Sequence, residues 1–295
     1  MTHWLNERIQ SFAERPFLSL NEHDYTYAHL SEATQNSKET FSKAGIQAGH
    51  VVILKGDYTL NAIATLLALF ELKTMVVPVA TDAENERQQR IEASNAQWEI
   101  HTDFTKDYSI QALHPKEETH TFVASLKDNQ EAGLILFSSG STGAPKAMIH
   151  SADRLLSSFQ SKRPKNVNIL IFLLFDHIGG LNTLFNGLST GALIVARQNR
   201  DPETIAQAIQ NQKVKLLPAS PTFLNLFLIS GVPSRYDLSS LRFITYGTEP
   251  MPQSLLKRIK EAFPKAKLIQ TFGTSETGIS QISSRSSAST LIKFD

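Results

Sequence analysis

The sequence predicts an α/β fold: two stacked α/β subdomains built on sheets rich in parallel strands. Three observations carry this expectation. Short β-rich runs alternate with amphipathic stretches along the chain, the pattern of repeated strand–helix–strand units with both sheet faces covered. Helix starts marked by proline at the first position fall between those runs. The 295 residues, 41% of them hydrophobic, exceed a typical single domain and supply a sizeable core. A polar, charged stretch at His114–His120 reads as an exposed connection before Gly133. It predicts a first subdomain over residues 1–130 and a second over 131–295.

The expected strands are Val51–Leu54, Met75–Val79, Trp98–His101, Gly133–Phe137, Asn168–Leu173, Ala192–Ala196, Val214–Leu217, Leu241–Tyr246 and Leu268–Thr271. Asn61–Leu72 reads as an amphipathic helix with Ile63, Leu66, Leu67 and Phe70 on one stripe. Asp201-Pro202, Ser220-Pro221 and Met251-Pro252 mark three further helix starts, and Asp201 and Ser220 are good N-caps for the first two. The chain has no internal repeat, and the low-complexity segment Ser283–Thr290 reads as a loop.

Composition narrows the function classes. With 29 basic and 28 acidic side chains the formal net charge is +1, so no global field draws the chain to nucleic acid. The absence of cysteine excludes disulfides, thiolate metal sites and a cysteine nucleophile, and fits a cytoplasmic protein. The N-terminus lacks the apolar core of a signal peptide. The longest apolar run, Ile169–Phe175, is too short for a transmembrane segment and reads as a buried strand. No histidine pair at i, i+4 suggests a zinc site. Lys257, Arg258 and Lys260 read as a solvated helix face.

The stretch Leu134–His150 carries the chemistry. A buried apolar strand feeds Ser138-Ser139-Gly140-Ser141-Thr142-Gly143-Ala144-Pro145-Lys146. Glycines let backbone N–H groups turn toward an anion, hydroxyls donate further bonds and a lysine adds a point charge, as a polyphosphate loop requires. A Walker loop is excluded because Gly140 and Gly143 are too close and Pro145 precedes the lysine. A nucleophile elbow is excluded because Ser139, not glycine, stands two before Ser141, and the S-x-x-K motif fails at Gly143. What remains, S-S-G-S-T-G-x-P-K, closely resembles the ATP-binding loop of the adenylate-forming superfamily: acyl-CoA synthetases, nonribosomal-peptide adenylation domains and luciferases. Thr26-Tyr-Ala-His-Leu, Gly45–Ile53 and Leu67–Val79 resemble further segments of that family in the right order.

The resemblance implies activation of a carboxylic acid by ATP to an acyl-AMP and pyrophosphate. Acyl transfer would follow, to a thiol on coenzyme A or on the phosphopantetheine of an acyl carrier protein. It assigns Ser138, Ser139, Gly140, Ser141, Thr142, Gly143 and Lys146 to the β- and γ-phosphates. Gln270-Thr-Phe-Gly-Thr-Ser-Glu-Thr-Gly278 is similar to the family's Y-G-x-T-E cluster, with Phe272 for tyrosine and Ser275 for threonine. Phe272, Gly273 and Thr274 are implied nucleotide contacts, and Ser275 is implied at the α-phosphate. Glu276 is the expected Mg²⁺ ligand, since a carboxylate beside a triphosphate needs a cation between them. Thr245–Pro250 resembles the family's adenine loop. Gly247, Thr248 and Glu249 are the implied contacts, and Tyr246, replacing a glycine, also reads as a strand-end core residue. In Phe175-Asp-His-Ile-Gly-Gly180, His177 stands where acyl-activating members line the acyl pocket, and Asp176 where amino-acid-activating members pair the substrate amine. A core histidine and a helix cap are the plain alternatives. Phe175, Phe223 and Leu224 are apolar pocket candidates, favouring an aliphatic or aromatic acid.

Lys146, Ser275 and Glu276 are thus the expected catalytic groups, acting by positioning and charge neutralisation with no covalent enzyme intermediate. The family's ribose-binding aspartate, hinge and C-terminal lysine do not follow Gly278. The chain is therefore expected to be an N-terminal portion that binds ATP weakly and adenylates poorly. The alternatives are a non-catalytic nucleotide-binding module and, more distantly, a phosphotransferase releasing ADP.

Overall fold

The computed structural model describes residues 3–21, 23–104, 108–115, 119–138, 146–247, 249–274, 278–280, 282–284 and 292–294, with backbone alone from residue 272 onward. The first elements in chain order are α1 (His3–Ser11), β1 (Pro16–Leu20), β2 (His23–Thr26), α2 (Tyr27–Ala44), β3 (Val51–Lys55), α3 (Leu60–Glu71), β4 (Met75–Val79) and α4 (Glu84–Ser94). Next come β5 (Trp98–Thr102), β6 (Tyr108–Ala112), α5 (Thr121–Asp128), β7 (Gly133–Ser138), β8 (Lys146–Ser151), α6 (Ala152–Ser157) and β9 (Asn168–Leu170). The second half holds α7 (Ile178–Thr190), β10 (Leu193–Ala196), α8 (Pro202–Gln212), β11 (Leu216–Ala219), α9 (Pro221–Ile229), α10 (Val232–Arg235), β12 (Phe243–Tyr246) and α11 (Gln253–Ala262). It ends with β13 (Lys267–Gln270), β14 (Phe272–Thr274), β15 (Gly278–Ser280), β16 (Ile282–Ser284) and β17 (Ile292–Phe294).

The chain divides into two compact units. The first holds residues 1–15, 25–163 and 174–177; the second holds 16–24, 164–173 and 178–295. The main changeover therefore falls after Arg163 and not near residue 130. The reason is strand pairing: β7 joins β4 in parallel, Met75 opposite Gly133, and so extends the sheet already begun. That sheet runs β6-β5-β3-β4-β7-β8, parallel inside and antiparallel at both edges. The second unit carries the sheet β13-β12-β11-β9-β10-β1-β2, parallel from β13 to β1. The expected α/β class with parallel-rich sheets is what the structure has.

Local chemistry sets the helix ends. Thr26 and His29 form a reciprocal capping box at α2, and Gly45 ends that helix in the left-handed region at φ 93°. Thr59 caps α3, Asp201 caps α8 and Ser220 caps α9, each through its side-chain oxygen. Two expectations need correction. α3 is buried continuously from Ala62 to Phe70 rather than along one stripe, because its sequence is apolar all round. Pro252 lies at the N-cap of α11, one position earlier than expected, and the helix starts at Gln253.

β9 ends at Leu170 rather than Leu173, and β11 is shifted to Leu216–Ala219, taking in Pro218. Proline lacks the N–H a central strand donates. The structure accommodates it because the β11–β9 pairing is confined to Leu216 opposite Ile169, while the other edge pairs fully with β12. Each unit has its own core, formed around Val51, Ile53, Met75 and Val77 in the first and around Leu217, Phe227, Ile244 and Leu256 in the second.

One histidine in the first unit is wired as an acceptor. Nδ1 of His50 accepts from the Trp98 indole Nε1–H at 3.1 Å and from the Gln47 N–H at 3.2 Å. Burial, reinforced by Lys127, holds its imidazole below the usual pKa of 6.5. The folded state thus favours the neutral ring. This contribution is present above about pH 6.5 and is lost as pH falls through the depressed folded value. The expected result is a fall in melting temperature from pH 7 to pH 5 that is shallower in His50→Asn, whose amide oxygen accepts the same bonds without titrating. Equal pH profiles in both proteins would refute it.

Candidate functional site

The first group of candidate residues lies in the first unit. β7 and β8 form an antiparallel hairpin whose innermost described pair is Ser138 opposite Lys146. β7 is buried from Gly133 to Leu136, and Phe137 and Ser138 are half-buried. Lys146 is exposed at the start of β8. β7 thus climbs out of the core, and the Ser138 hydroxyl and the Lys146 ammonium flank residues 139–145. Ser139, Gly140, Ser141, Thr142 and Gly143 lie between them, outside the described residues. β8 was not anticipated; its partner decides it.

Asp176 and His177 sit beside this hairpin through one connection. The guanidinium of Arg90 on α4 donates to the Asp176 carboxylate at 2.5 Å and lies over the Phe137 ring, 5.9 Å from its centroid. The same carboxylate accepts from the Ala80 N–H at 3.3 Å. Phe175 is fully buried, edge-on to Tyr58 with ring centroids 5.2 Å apart, and the Tyr58 hydroxyl donates to the Leu174 carbonyl at 3.2 Å. His177 is half-buried, and its N–H donates to the Leu174 carbonyl at 3.1 Å. Burial lowers its pKa while Asp176 partly offsets the shift, which favours a neutral imidazole.

The second group lies in the second unit, at the carboxyl ends of β11, β12 and β13, where open parallel sheets bind ligands. The register places Ala219 beside Tyr246 and Tyr246 beside Gln270. Two motifs separated in sequence therefore emerge as neighbours. The Thr271 N–H and hydroxyl both donate to the Tyr246 carbonyl, at 2.8 and 3.2 Å. Tyr246 is 2% exposed in the core, as its position at the strand end suggested. Gly247 lies so close to β13 that an added Cβ would stand 2.6 Å from the Thr271 carbonyl oxygen. Only glycine fits there without moving backbone.

Glu249 is exposed and turns its carboxylate to Thr222 on α9, accepting from both the Thr222 hydroxyl and N–H. Phe223 packs inward, 6% exposed, its ring centroid 4.1 Å from that of Phe172. Phe272, Gly273 and Thr274 form β14, which pairs antiparallel with β15, so the expected loop after β13 is partly a small hairpin. Thr248, Ser275 and Glu276 lie outside the described residues. So does most of Ser283–Thr290, although Ser283 and Ser284 belong to β16. Among the described residues no group of three His, Asp or Glu side chains is arranged to hold a metal ion. No helix among them is long and apolar enough to cross a membrane.

Three residues were missed in the sequence. Arg90 sits in a polar helix 86 positions from Asp176, with nothing local to mark the pairing. Thr222 follows a recognisable cap and proline, but its partner is remote. Gln270 opens the motif that was noticed, and among the described residues its Oε1 is buried without a hydrogen-bond partner at the end of β13.

A family model for AMP-binding enzymes matches residues 5–290. The chain belongs to the AMP-binding enzyme family. Among curated relatives, 4-coumarate:CoA ligase 1 of Petunia hybrida is 28% identical over 309 aligned residues, covering 92% of this chain and 56% of that protein. The 4-coumarate--CoA ligase of Vanilla planifolia is 29% identical, again over 92% of this chain and 56% of its own length. The chain thus spans about half the length of these relatives. Among solved structures, the N-terminal subdomain of Klebsiella oxytoca NpsA in complex with 3-hydroxyanthranilyl-AMSN superposes with a TM-score of 0.77 at 19% identity, over 98% of this chain and 76% of that one. The luciferase-like enzyme of the Zophobas morio mealworm gives a TM-score of 0.77 at 22% identity, over 94% and 73%. The chain shares its fold with these solved structures.

Proposed function

We propose that the chain is the large nucleotide-binding part of an AMP-forming acid–thiol ligase acting on an aromatic acid such as a hydroxycinnamate. The observation that carries this is the hairpin pairing of Ser138 with Lys146 across a glycine- and hydroxyl-rich loop. The close approach at Gly247 fits an adenine nucleotide at the β12–β13 edge. Adenylation supplies a good leaving group: the acid's carboxylate attacks the α-phosphorus in line and pyrophosphate departs. Lys146 and the loop N–H groups neutralise charge that builds on the phosphate oxygens as that bond breaks. Glu276 is the residue proposed to hold Mg²⁺, which would neutralise the triphosphate. Coenzyme A, the acceptor in the names of the plant relatives, is the proposed thiol.

The Arg90–Asp176 ion pair favours an acid without an ammonium group. A carboxylate already matched by a guanidinium has no uncompensated charge to offer an amine. The test is acid-dependent ATP–pyrophosphate exchange by the 295-residue chain, across hydroxycinnamic, benzoic, fatty and amino acids, with ATP binding measured alongside. Slow exchange with aryl acids and none with amino acids is expected. ATP binding with no exchange under any acid would favour the non-catalytic module, and ADP release would favour a phosphotransferase.

A further inference from the structure

We propose that Thr222 is a positioning residue for the nucleotide base: by holding Glu249 it sets the shape of the loop at Gly247. The inference rests on the reading of that loop as the adenine side of the site. The geometry is set at the start of α9. The Ser220 oxygen takes the Phe223 N–H at 3.1 Å, and Pro221 has no N–H to donate. The Thr222 N–H is therefore the first donor of the helix left without a partner inside it. Glu249 meets it at 3.3 Å and takes the Thr222 hydroxyl as well, both bonds falling on the same oxygen, Oε2. A carboxylate at a helix start also gains from the aligned peptide dipoles.

Glu249 is thus spent on α9, and the loop that carries it is fastened at two points. On one side Glu249 is tied to Thr222; on the other the Tyr246 carbonyl, just before Gly247, accepts from the Thr271 N–H and hydroxyl. Between these two points stand only residues 247 and 248. Backbone held at Tyr246 and at Glu249 is ordered before the ligand arrives, and a base that uses the donors and acceptors there loses less on binding. Glu249 itself is exposed, so the hydroxyl of Thr222, rather than burial, is what keeps it in place.

The experiment measures the dissociation constants of ATP and of inorganic tripolyphosphate for the chain and for Thr222→Val, Thr222→Ser and Glu249→Gln. Thr222→Val keeps the shape and removes the hydroxyl. It is expected to weaken ATP by about tenfold, the worth of one charge-assisted hydrogen bond. Tripolyphosphate, which has no base, should bind unchanged. Thr222→Ser should restore ATP binding to within about twofold, since it keeps the donor. The melting temperature should fall only slightly in Thr222→Val, by about 2 °C, since one exposed hydrogen bond is lost from a large chain. Equal weakening of ATP and tripolyphosphate, or an ATP constant within twofold of the parent, overturns the proposal. Failure of the parent chain to bind ATP at all would instead overturn the reading of the site on which it rests.

Discussion

Lys146→Ala should slow acid-dependent ATP–pyrophosphate exchange by about 10²-fold, the typical cost of removing one preorganised charge from a transition state. Lys146 is exposed at the first position of β8, and its partner across the hairpin is Ser138. Alanine is therefore accommodated without loss of packing, and the melting temperature should stay put. Tripolyphosphate affinity should fall along with exchange, because the lysine is proposed to act on the phosphates and not on the acid. Lys146→Arg keeps the charge with a different shape and should recover part of the rate. An unchanged exchange rate in Lys146→Ala would remove the hairpin from the catalytic reading.

Breaking the ion pair of Arg90 with Asp176 should be strongly destabilising. The side chains are only 17% and 13% exposed. Removing the guanidinium in Arg90→Met leaves a largely buried carboxylate without its cation, at a cost of about 2–3 kcal/mol, the low end for such pairs because some solvent still reaches them. Asp176→Asn leaves the cation in the same position. The double variant Arg90→Met with Asp176→Asn removes both charges together. Denaturant midpoints should then show the double variant more stable than the sum of the single losses predicts, with a coupling of about 1–2 kcal/mol. Strict additivity would show that the two charges do not interact. The pair also ties α4 to the segment before His177, and Arg90 lies over Phe137, next to Ser138 at the base of the hairpin loop. Arg90→Met should for that reason also raise the KM for the acid.

Strands buried on both faces were legible because their apolar runs have no other use. Met75–Val79 matches residue for residue, and Val51–Leu54 and Gly133–Phe137 each miss only the last residue of the observed strand. β6 and β8 were not legible. They lie at the two edges of the first sheet, carry exposed and polar residues, and are strands only because β5 and β7 offer them hydrogen bonds. The same distinction runs through the candidate site. The Ser138–Lys146 segment, the Phe272–Glu276 cluster and the Gly247 segment were visible because glycine and hydroxyl spacing is a local property. That the last two are neighbours was not visible. It follows from one register, Tyr246 against Gln270, between parallel strands joined by a helix.

The local chain decides what is written within a few residues: the α/β class, the caps at Thr59, Asp201 and Ser220, and the membership signalled by S-S-G-S-T-G-x-P-K. Tertiary structure alone decides partners. Arg90 meets Asp176, Glu249 meets Thr222, and β7 continues the first sheet instead of opening the second. Caps and turns satisfy donors that sit in the same few residues, so their chemistry can be read along the chain. Ion pairs and strand registers are satisfied by groups that only folding brings together, and many residues of the right type compete for each of those places until packing selects one.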